Sequence, residues 1–260
     1  MKVPFLDLKI YSQEKDLLIS SVERVFDHGR LVMGPEIEEL EQKLASYCSR
    51  KYVVSVGSGT DALFLALRGL GIGLGDEVIT TPLSWISTFN AIAMCGAAPV
   101  CVDICDTLTI DPDLIEEAIT PRTKAILPVH FSSQMCKMDQ IMSIAHKHQM
   151  YVIEDAAQAL GVKFKGKPAG SFGHVSAFSF YADKALTTGE GGLIVTNSKY
   201  IYKQLLLIRN QGRLKSGTFV HKNLGYNFRF NDVLAAIGLA QLQKFKLIQK
   251  KKLEIYKKFQ

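Results

Sequence analysis

The sequence has few features of a disulfide-bonded, metal-binding or membrane-spanning protein. Its five cysteines are odd in number and include no CxxC pair, so reduced thiols in a core are favoured over a disulfide framework or a zinc site. No apolar run reaches the length of a membrane span, and the residues from Met1 to Leu8 contain no apolar segment typical of a signal peptide. We therefore expect a soluble cytoplasmic protein without a metal site.

The charge does not indicate nucleic-acid binding. The formal net charge is +6, but much of the excess lies in the last stretch, Lys244–Lys258, and no module combining basic and aromatic residues is visible. We interpret these lysines as the solvated face of a long helix, and the net charge as favouring anionic small molecules. Hydrophobic residues make up 47% of the chain, which is enough for a substantial core.

Strand-like and helix-like patterns alternate along most of the chain. Strands are predicted at Tyr52–Val56, Glu77–Thr80, Pro99–Asp103, Lys124–Val129, Tyr151–Glu154, Val175–Phe180 and Leu193–Thr196. Helices are predicted at residues 14–28, Pro35–Cys48, Thr60–Leu70, Trp85–Met94, Asp111–Ile119, Lys137–Gln149, Ser198–Asn210 and from Asp232 onward, with loops at Gly161–Gly173 and Gln211–Asn223. This alternation is typical of an α/β protein with a mostly parallel sheet covered on both faces.

The last two predicted strands are joined by a glycine-rich connection that carries Lys184. Glycines before the second strand would allow the backbone to approach a ligand closely. A partly desolvated lysine at this position could attack a carbonyl and form a Schiff base. For a single lysine, a solvated surface position is the more common explanation.

Three further candidate sites follow predicted strands at the edge where α/β sheets bind ligands. The turn Gly57–Asp61 opens a helix and could hold a phosphate through its free N–H groups, or could be a plain tight turn. Asp155 could pair with a protonated ring nitrogen, with Gln158 donating to a ring oxygen, or could merely cap the next segment. Trp85, the only tryptophan, could stack on a flat cofactor or pack in the core.

Together these groups match the requirements of one cofactor. A phosphate site, a stacking aromatic ring, a carboxylate for a pyridinium nitrogen and a Schiff-base lysine are what pyridoxal phosphate needs. The freed lysine amine could then move the α-proton of the substrate. The sequence therefore predicts a pyridoxal-phosphate enzyme.

The chain resembles the DegT/DnrJ/EryC1/StrS family of fold-type-I, pyridoxal-phosphate-dependent sugar aminotransferases. The resemblance begins at Pro4 and runs through ordered motifs along the whole chain. These are Ser58-Gly-Thr-Asp-Ala-Leu63, Ile119-Thr-Pro-Arg-Thr-Lys-Ala-Ile126, Pro128-Val-His130, Glu154-Asp-Ala-Ala-Gln158, Lys184-Ala-Leu-Thr-Thr-Gly-Glu-Gly-Gly192, Leu224-Gly-Tyr-Asn-Phe-Arg229 and Ala235-Ala-Ile-Gly-Leu-Ala-Gln-Leu242. It implies a three-layer α/β/α large domain with a mostly parallel mixed sheet over residues 1–231, followed by a long basic helix at 232–260 that leads to a largely missing C-terminal domain.

The resemblance also implies a role for each candidate residue. Lys184 would bind the cofactor covalently, Asp155 would pair with the ring nitrogen, Gln158 would contact the ring hydroxyl and Trp85 would stack on the ring. The residues implied for the phosphate are Gly59, Thr60 and Ser179, together with Asn227 from the other subunit of a homodimer.

The implied reaction moves an amino group from glutamate to a nucleotide-linked keto sugar, in polysaccharide or glycoconjugate biosynthesis. The lysine motif looks more like that of members that aminate sugar C4, such as perosamine synthases, than that of C3 aminotransferases. Two departures stand out: Ala182 where many relatives have proline, and Ser132-Ser133 where Tyr-Gly is frequent, which could alter the sugar pocket. Two alternatives remain open: a truncated cofactor-binding protein that is not an enzyme or that partners an intact paralogue, and a relative that acts on a cyclitol or aminobenzoate precursor.

Overall fold

A mixed seven-stranded sheet forms the centre of the protein. The structure is a computed structural model, and it describes residues 8–10, 12–213 and 219–258. The strands of this sheet are β1 (Tyr52–Val56), β2 (Glu77–Thr80), β3 (Ala98–Cys101), β4 (Thr123–Ile126), β5 (Tyr151–Asp155), β8 (Val175–Ser179) and β9 (Gly192–Thr196), and their order is β1-β9-β8-β5-β4-β2-β3. Strand β9 is antiparallel to both of its neighbours, whereas every other neighbouring pair is parallel. The predicted mostly parallel sheet is confirmed.

Helices cover both faces of this sheet. They are α1 (Ser12–His28), α2 (Pro35–Tyr47), α3 (Gly59–Gly69), α4 (Ser87–Met94), α5 (Met138–Lys147), α6 (Lys199–Arg209) and α7 (Asp232–Tyr256). Three of them begin at a side-chain cap of the kind that stabilises helix N-termini: Ser58 for α3, Ser198 for α6 and Asn231 for α7.

Two hydrophobic cores lie on opposite faces of the sheet. Because side chains alternate along a strand, Leu193 and Val195 of β9 point into one core while Ile194 between them points into the other. The first core also contains Leu40 of α2 and Phe245 of α7, and the second contains residues of α3, α4 and α6. The arrangement is the predicted three-layer α/β/α fold.

Two segments differ from the prediction. The helix predicted at Asp111–Ile119 is instead two short 3₁₀ turns, Pro112–Leu114 and Glu116–Ala118. Thr120 precedes Pro121, which disfavours helical backbone there, and the backbone is already extended at Ile119. The predicted loop Gly161–Gly173 contains a two-stranded hairpin, β6 (Lys163–Phe164) and β7 (Lys167–Pro168).

Helix α7 packs on the large domain through its first half. Buried residues run from Asp232 to Phe245, and the residues from Lys250 to Lys258 are exposed. The domain boundary predicted at Asp232 stays a prediction. The start of the resemblance at Pro4 lies outside the described residues, as does the middle of the loop predicted at Gln211–Asn223.

Within the described residues no helix is both long and apolar enough to cross a membrane. In the same part of the chain, His, Cys, Asp and Glu side chains form no group suited to a metal ion.

Candidate active site

A cleft of about 720 Å³ opens at the carboxyl ends of the parallel strands. Ligands bind at this edge in open α/β sheets because loops and helix N-termini converge there. The predicted site residues that line the cleft are Gly59, Thr60, Trp85, Asp155, Gln158, Ser179 and Lys184. Residues that are far apart in the sequence therefore share one cavity.

The turn between β1 and α3 forms one corner of the cleft. The Ser58 hydroxyl caps α3 by accepting a hydrogen bond from the N–H of Asp61 at 3.0 Å. The first N–H groups of a helix have no intrahelical acceptor, and within the described chain none is assigned to Gly59 or Thr60. These N–H groups and the helix dipole favour a phosphate.

Glycine is required at the closest contact of this corner. A Cβ built on Gly59 would lie 2.8 Å from Cβ and 3.1 Å from Oγ of Ser179, at the end of β8. A Cβ on Gly192, at the start of β9, would clash with the carbonyl oxygen of Ser58. We define Gly59, Thr60 and Ser179 as the cradle; the backbone of Gly59 lies against the Ser179 side chain, and a larger residue at position 59 would disturb this contact.

Lys184 lies in the connection between β8 and β9, with its side chain directed into the same cleft. Its Nζ is 3.1 Å from Oδ1 of Asp183, and its N–H donates to the carbonyl of Tyr181 at 3.0 Å. The side chain is 22% exposed, so it differs from the fully solvated lysine that was the common alternative. A partly shielded amine in a ligand-sized cleft is available to react with a carbonyl group.

Asp155 ends β5 at the floor of the cleft and is only 5% exposed. Its Oδ2 accepts a hydrogen bond from the Thr88 hydroxyl at 2.8 Å, and its Oδ1 accepts one from the N–H of Ala157 at 3.2 Å. Burial raises the pKa of Asp155, against the opposing effect of these two bonds and of the positive charge of Lys184. A cationic partner in the cleft would favour the carboxylate. Asp155 therefore both caps the segment that follows it, through Ala157, and lines the cleft, so the two alternatives for this residue are compatible.

Thr88 and Ser84 were missed by the sequence analysis. Their hydroxyl oxygens are 2.6 Å apart, and since Thr88 uses its one hydrogen toward Asp155, Ser84 must donate to Thr88. Both lie beside Trp85 in the segment that follows β2. Trp85 itself is 73% exposed at the side of the cleft, which rules out the core position that was its alternative.

The serine pair that departs from the family pattern holds Gln158. The Ser132 N–H donates to Oε1 of Gln158 at 2.7 Å, and the Ser133 hydroxyl donates to its main-chain carbonyl at 2.6 Å. Both serines have left-handed backbone, with φ of 48° and 65°. Because Oε1 is engaged, the amide NH₂ of Gln158 is the end that can donate to a ligand.

A buried carboxylate, Glu154, fixes the strand behind the cleft. It accepts hydrogen bonds from His130, the Ser176 hydroxyl and three main-chain N–H groups, at distances of 2.8 to 3.1 Å. Burial favours the neutral acid, but the hydrogen bonds from His130 and from the main-chain N–H groups lower the pKa of Glu154 to about 2. His130 accepts the N–H of Cys136 at Nδ1, so Nε2 carries the hydrogen donated to Glu154. The network secures β5 and therefore the position of Asp155.

Asn227 is the one predicted site residue outside the cleft. It is exposed and pairs through its backbone with Asn210, beyond the C-terminus of α6. Its predicted role is in the site of a neighbouring subunit, and that role stays a prediction.

The chain is similar to known proteins over most of its length. The sequence profile of the DegT/DnrJ/EryC1/StrS aminotransferase family matches residues 12–260. The GDP-perosamine synthase of Caulobacter vibrioides is 45% identical over 213 residues, which are 82% of this chain and 57% of that protein. The dTDP-3-amino-3,4,6-trideoxy-α-D-glucose transaminase of Streptomyces venezuelae is 43% identical over 239 residues, which are 91% of this chain and 62% of that protein.

A solved structure shares the fold described above. NtdA from Bacillus subtilis, with bound cofactor PMP, superposes with a TM-score of 0.89 at 35% identity, covering 95% of this chain and 57% of that one. The chain thus spans about three fifths of the length of the relatives it matches. It is a member of the DegT/DnrJ/EryC1/StrS aminotransferase family.

Proposed function

We propose that the protein is a pyridoxal-phosphate-dependent aminotransferase that moves an amino group from glutamate to a nucleotide-linked keto sugar. The observation that carries this proposal is the meeting of Lys184, Asp155 and the cradle in one cleft. Two relatives named for GDP- and dTDP-linked sugars support the class of acceptor. The product would enter polysaccharide or glycoconjugate biosynthesis.

The residues of the cleft fit the cofactor. Its volume of about 720 Å³ is within the range of roughly 300–1,000 Å³ that is usual for small-molecule sites. The N–H groups of Gly59 and Thr60 and the Ser179 hydroxyl suit a phosphate, and the buried carboxylate of Asp155 suits a protonated ring nitrogen. PMP, the cofactor bound in the Bacillus subtilis structure, is the aminated form of pyridoxal phosphate.

Each side chain has a separate task in the proposed reaction. When bound, pyridoxal phosphate supplies a carbonyl carbon that takes up amines and a ring that withdraws electrons from the bond to be broken. Asp155, held by the Thr88 hydroxyl, would keep the ring nitrogen protonated, and the Gln158 amide would donate to a ring oxygen. Lys184 would bind the cofactor covalently and, once released, would take a proton at Nζ and return it. Trp85 would cover one face of the ring.

We also propose a homodimer in which Asn227 reaches the phosphate in the neighbouring cleft. Asn227 is exposed and lies outside the cleft of its own chain, which supports a role toward another subunit. The predicted cytoplasmic location stays a prediction.

The proposal is tested with acceptor substrates. Protein loaded with pyridoxal phosphate should convert GDP- or dTDP-linked 4-keto-6-deoxy sugars to amino sugars with glutamate as donor, as measured by mass spectrometry of the product. Amination of scyllo-inosose with no reaction on either sugar nucleotide would contradict the proposed acceptor and favour the cyclitol alternative. Conversion of a 3-keto sugar alone would contradict the choice of C4.

A further inference from the structure

The cleft carries fewer positive charges than its proposed ligands require. Its charged lining residues are Asp155, Asp183, Lys184, Glu190 and Lys252. Lys184 pairs with Asp183 and is reserved for covalent chemistry. The cofactor phosphate, glutamate and a nucleotide diphosphate are all anions. Lys252 is therefore the one lining cation, among the described residues, that is left to bind an anionic group.

The packing of α7 explains how a residue from the end of the chain reaches the cleft. Gly161, with φ of +82°, lets α7 come so close that a Cβ there would clash with the side-chain amide of Gln249 and lie 3.1 Å from the ring of Phe245. Lys252 follows Gln249 by three residues, so it lies on a neighbouring part of the same helix face. Leu160, beside Gly161, lines the cleft together with Lys252.

Lys252 differs from the other lysines of α7 in its surroundings. Lys244 pairs with Glu14 at 3.3 Å, and Lys250 is 4.0 Å from Glu254. No acidic partner is assigned to Lys252 within residues 8–10, 12–213 and 219–258. Lys251 is also exposed but does not line the cleft. It provides a control with the same change in net charge.

We propose that Lys252 binds the diphosphate of the nucleotide-linked acceptor, an inference that rests on the proposed function. The diphosphate separates the nucleoside from the sugar, so it lies away from the carbon that reacts at Lys184. Lys252 comes from α7 beside the Gly161 turn, whereas the cradle for the cofactor phosphate is built by α3 and β8. An exposed ammonium group can pair with the doubly charged diphosphate without first losing an internal partner.

The first experiment measures nucleotide binding to the protein loaded with pyridoxal phosphate. Binding of GDP and dTDP to wild type, Lys252→Ala and Lys251→Ala is followed by calorimetry at low and moderate salt. We expect Lys252→Ala to raise Kd about three- to tenfold and to reduce the salt dependence, with Lys251→Ala close to wild type. Lys252→Arg should restore most of the affinity. Equal weakening by both alanine variants would overturn the assignment, because it would reflect net charge alone.

The second experiment separates the diphosphate from other anions. The change in absorbance with glutamate and the Kd for pyridoxal phosphate are measured on the same variants. We expect Lys252→Ala to change the Kd for nucleotide at least threefold more than it changes the response to glutamate or the Kd for pyridoxal phosphate. A larger effect on glutamate or on the cofactor would overturn the assignment. If wild type binds neither nucleotide but reacts with glutamate, the proposed acceptor class itself fails; if wild type binds and Lys252→Ala binds equally well, only this inference fails.

Discussion

Substitution of Gly59 by alanine tests the cradle directly. The added Cβ would lie 2.8 Å from Cβ, 3.1 Å from Oγ and 3.4 Å from Cα of Ser179, so α3 or β8 must shift. Overpacking of this kind costs about 1–3 kcal/mol. Replacement of glycine by alanine at a compatible position gains about 0.4–1 kcal/mol through the unfolded chain. The expected net loss in the free energy of unfolding is therefore about 1.3 kcal/mol at the middle of both ranges and at most about 2.6 kcal/mol.

The loss of cofactor affinity should be larger than the loss of stability. A shift at the start of α3 weakens the N–H groups that would bind the phosphate, and a hydrogen bond to a charged group is worth about 1.5–3 kcal/mol. One lost bond corresponds to roughly a ten- to hundredfold higher Kd for pyridoxal phosphate. Absorbance titration measures this Kd, and urea unfolding of the cofactor-free protein measures the stability.

Gly73→Ala is the matched control. Its added Cβ would meet nothing closer than Nη1 of Arg68 at 3.4 Å, which is ordinary contact. This variant should be at least as stable as wild type and should bind the cofactor equally well. If Gly59→Ala loses stability but keeps wild-type affinity, the turn after β1 is not the phosphate site. If it loses no stability, the described contact with Ser179 is wrong.

Three further variants test the surroundings of the ring site. Burial raises the pKa of Asp155 in the cofactor-free protein, so the folded state binds this proton more tightly than the unfolded state. The stability that Asp155 contributes is therefore fully present below the unfolded pKa of about 3.9 and is lost as pH rises through the folded pKa. Asp155→Asn should remove this fall in the free energy of unfolding with rising pH, and it should also weaken cofactor binding. If the variant shows the same pH dependence as wild type, Asp155 is not buried as described. Ser133→Gly should relieve the left-handed backbone but lose the bond to Gln158, so the cofactor spectrum should shift with little change in stability, and a spectrum like wild type would exclude this positioning role. Glu154→Gln should cost about 3–5 kcal/mol in urea unfolding, because Arg50, 3.7 Å from the carboxylate, loses its buried counter-charge; a loss below about 1 kcal/mol would contradict the network.

The local order of apolar, polar and turn-forming residues was sufficient to predict most of the fold. The bounds of β2 were predicted at Glu77–Thr80, where the structure has them, because turn-forming residues flank a short apolar run. The start of α3 was predicted within one residue, since the serine and glycines before it mark a helix N-terminus. The helix predicted at Asp111–Ile119 is wrong because apolar periodicity takes no account of the Thr120-Pro121 pair, which disfavours helical backbone at the end of the segment.

Candidate residues that directly follow strands could be selected from the sequence. The side chains that contact them from distant parts of the chain could not. Asp155 and Lys184 could be identified because the carboxyl ends of parallel strands converge. Thr88 is 67 residues from Asp155, and no sequence spacing indicates that they form a hydrogen bond. Lys252 had the appearance of one solvated lysine among several, and only the packing of α7 on Gly161 brings it to the cleft.

We propose that Lys184 reacts with the cofactor and takes part in passing on the amino group of glutamate. The most direct measurement is the visible absorption spectrum of the protein loaded with pyridoxal phosphate, before and after addition of glutamate. Lys184→Arg keeps the charge but lacks the reactive amine, and serves as the matched variant. Our account predicts a yellow band that bleaches with glutamate in wild type and is absent in Lys184→Arg. A wild-type protein that stays colourless with added cofactor, or an arginine variant that bleaches equally, would contradict it.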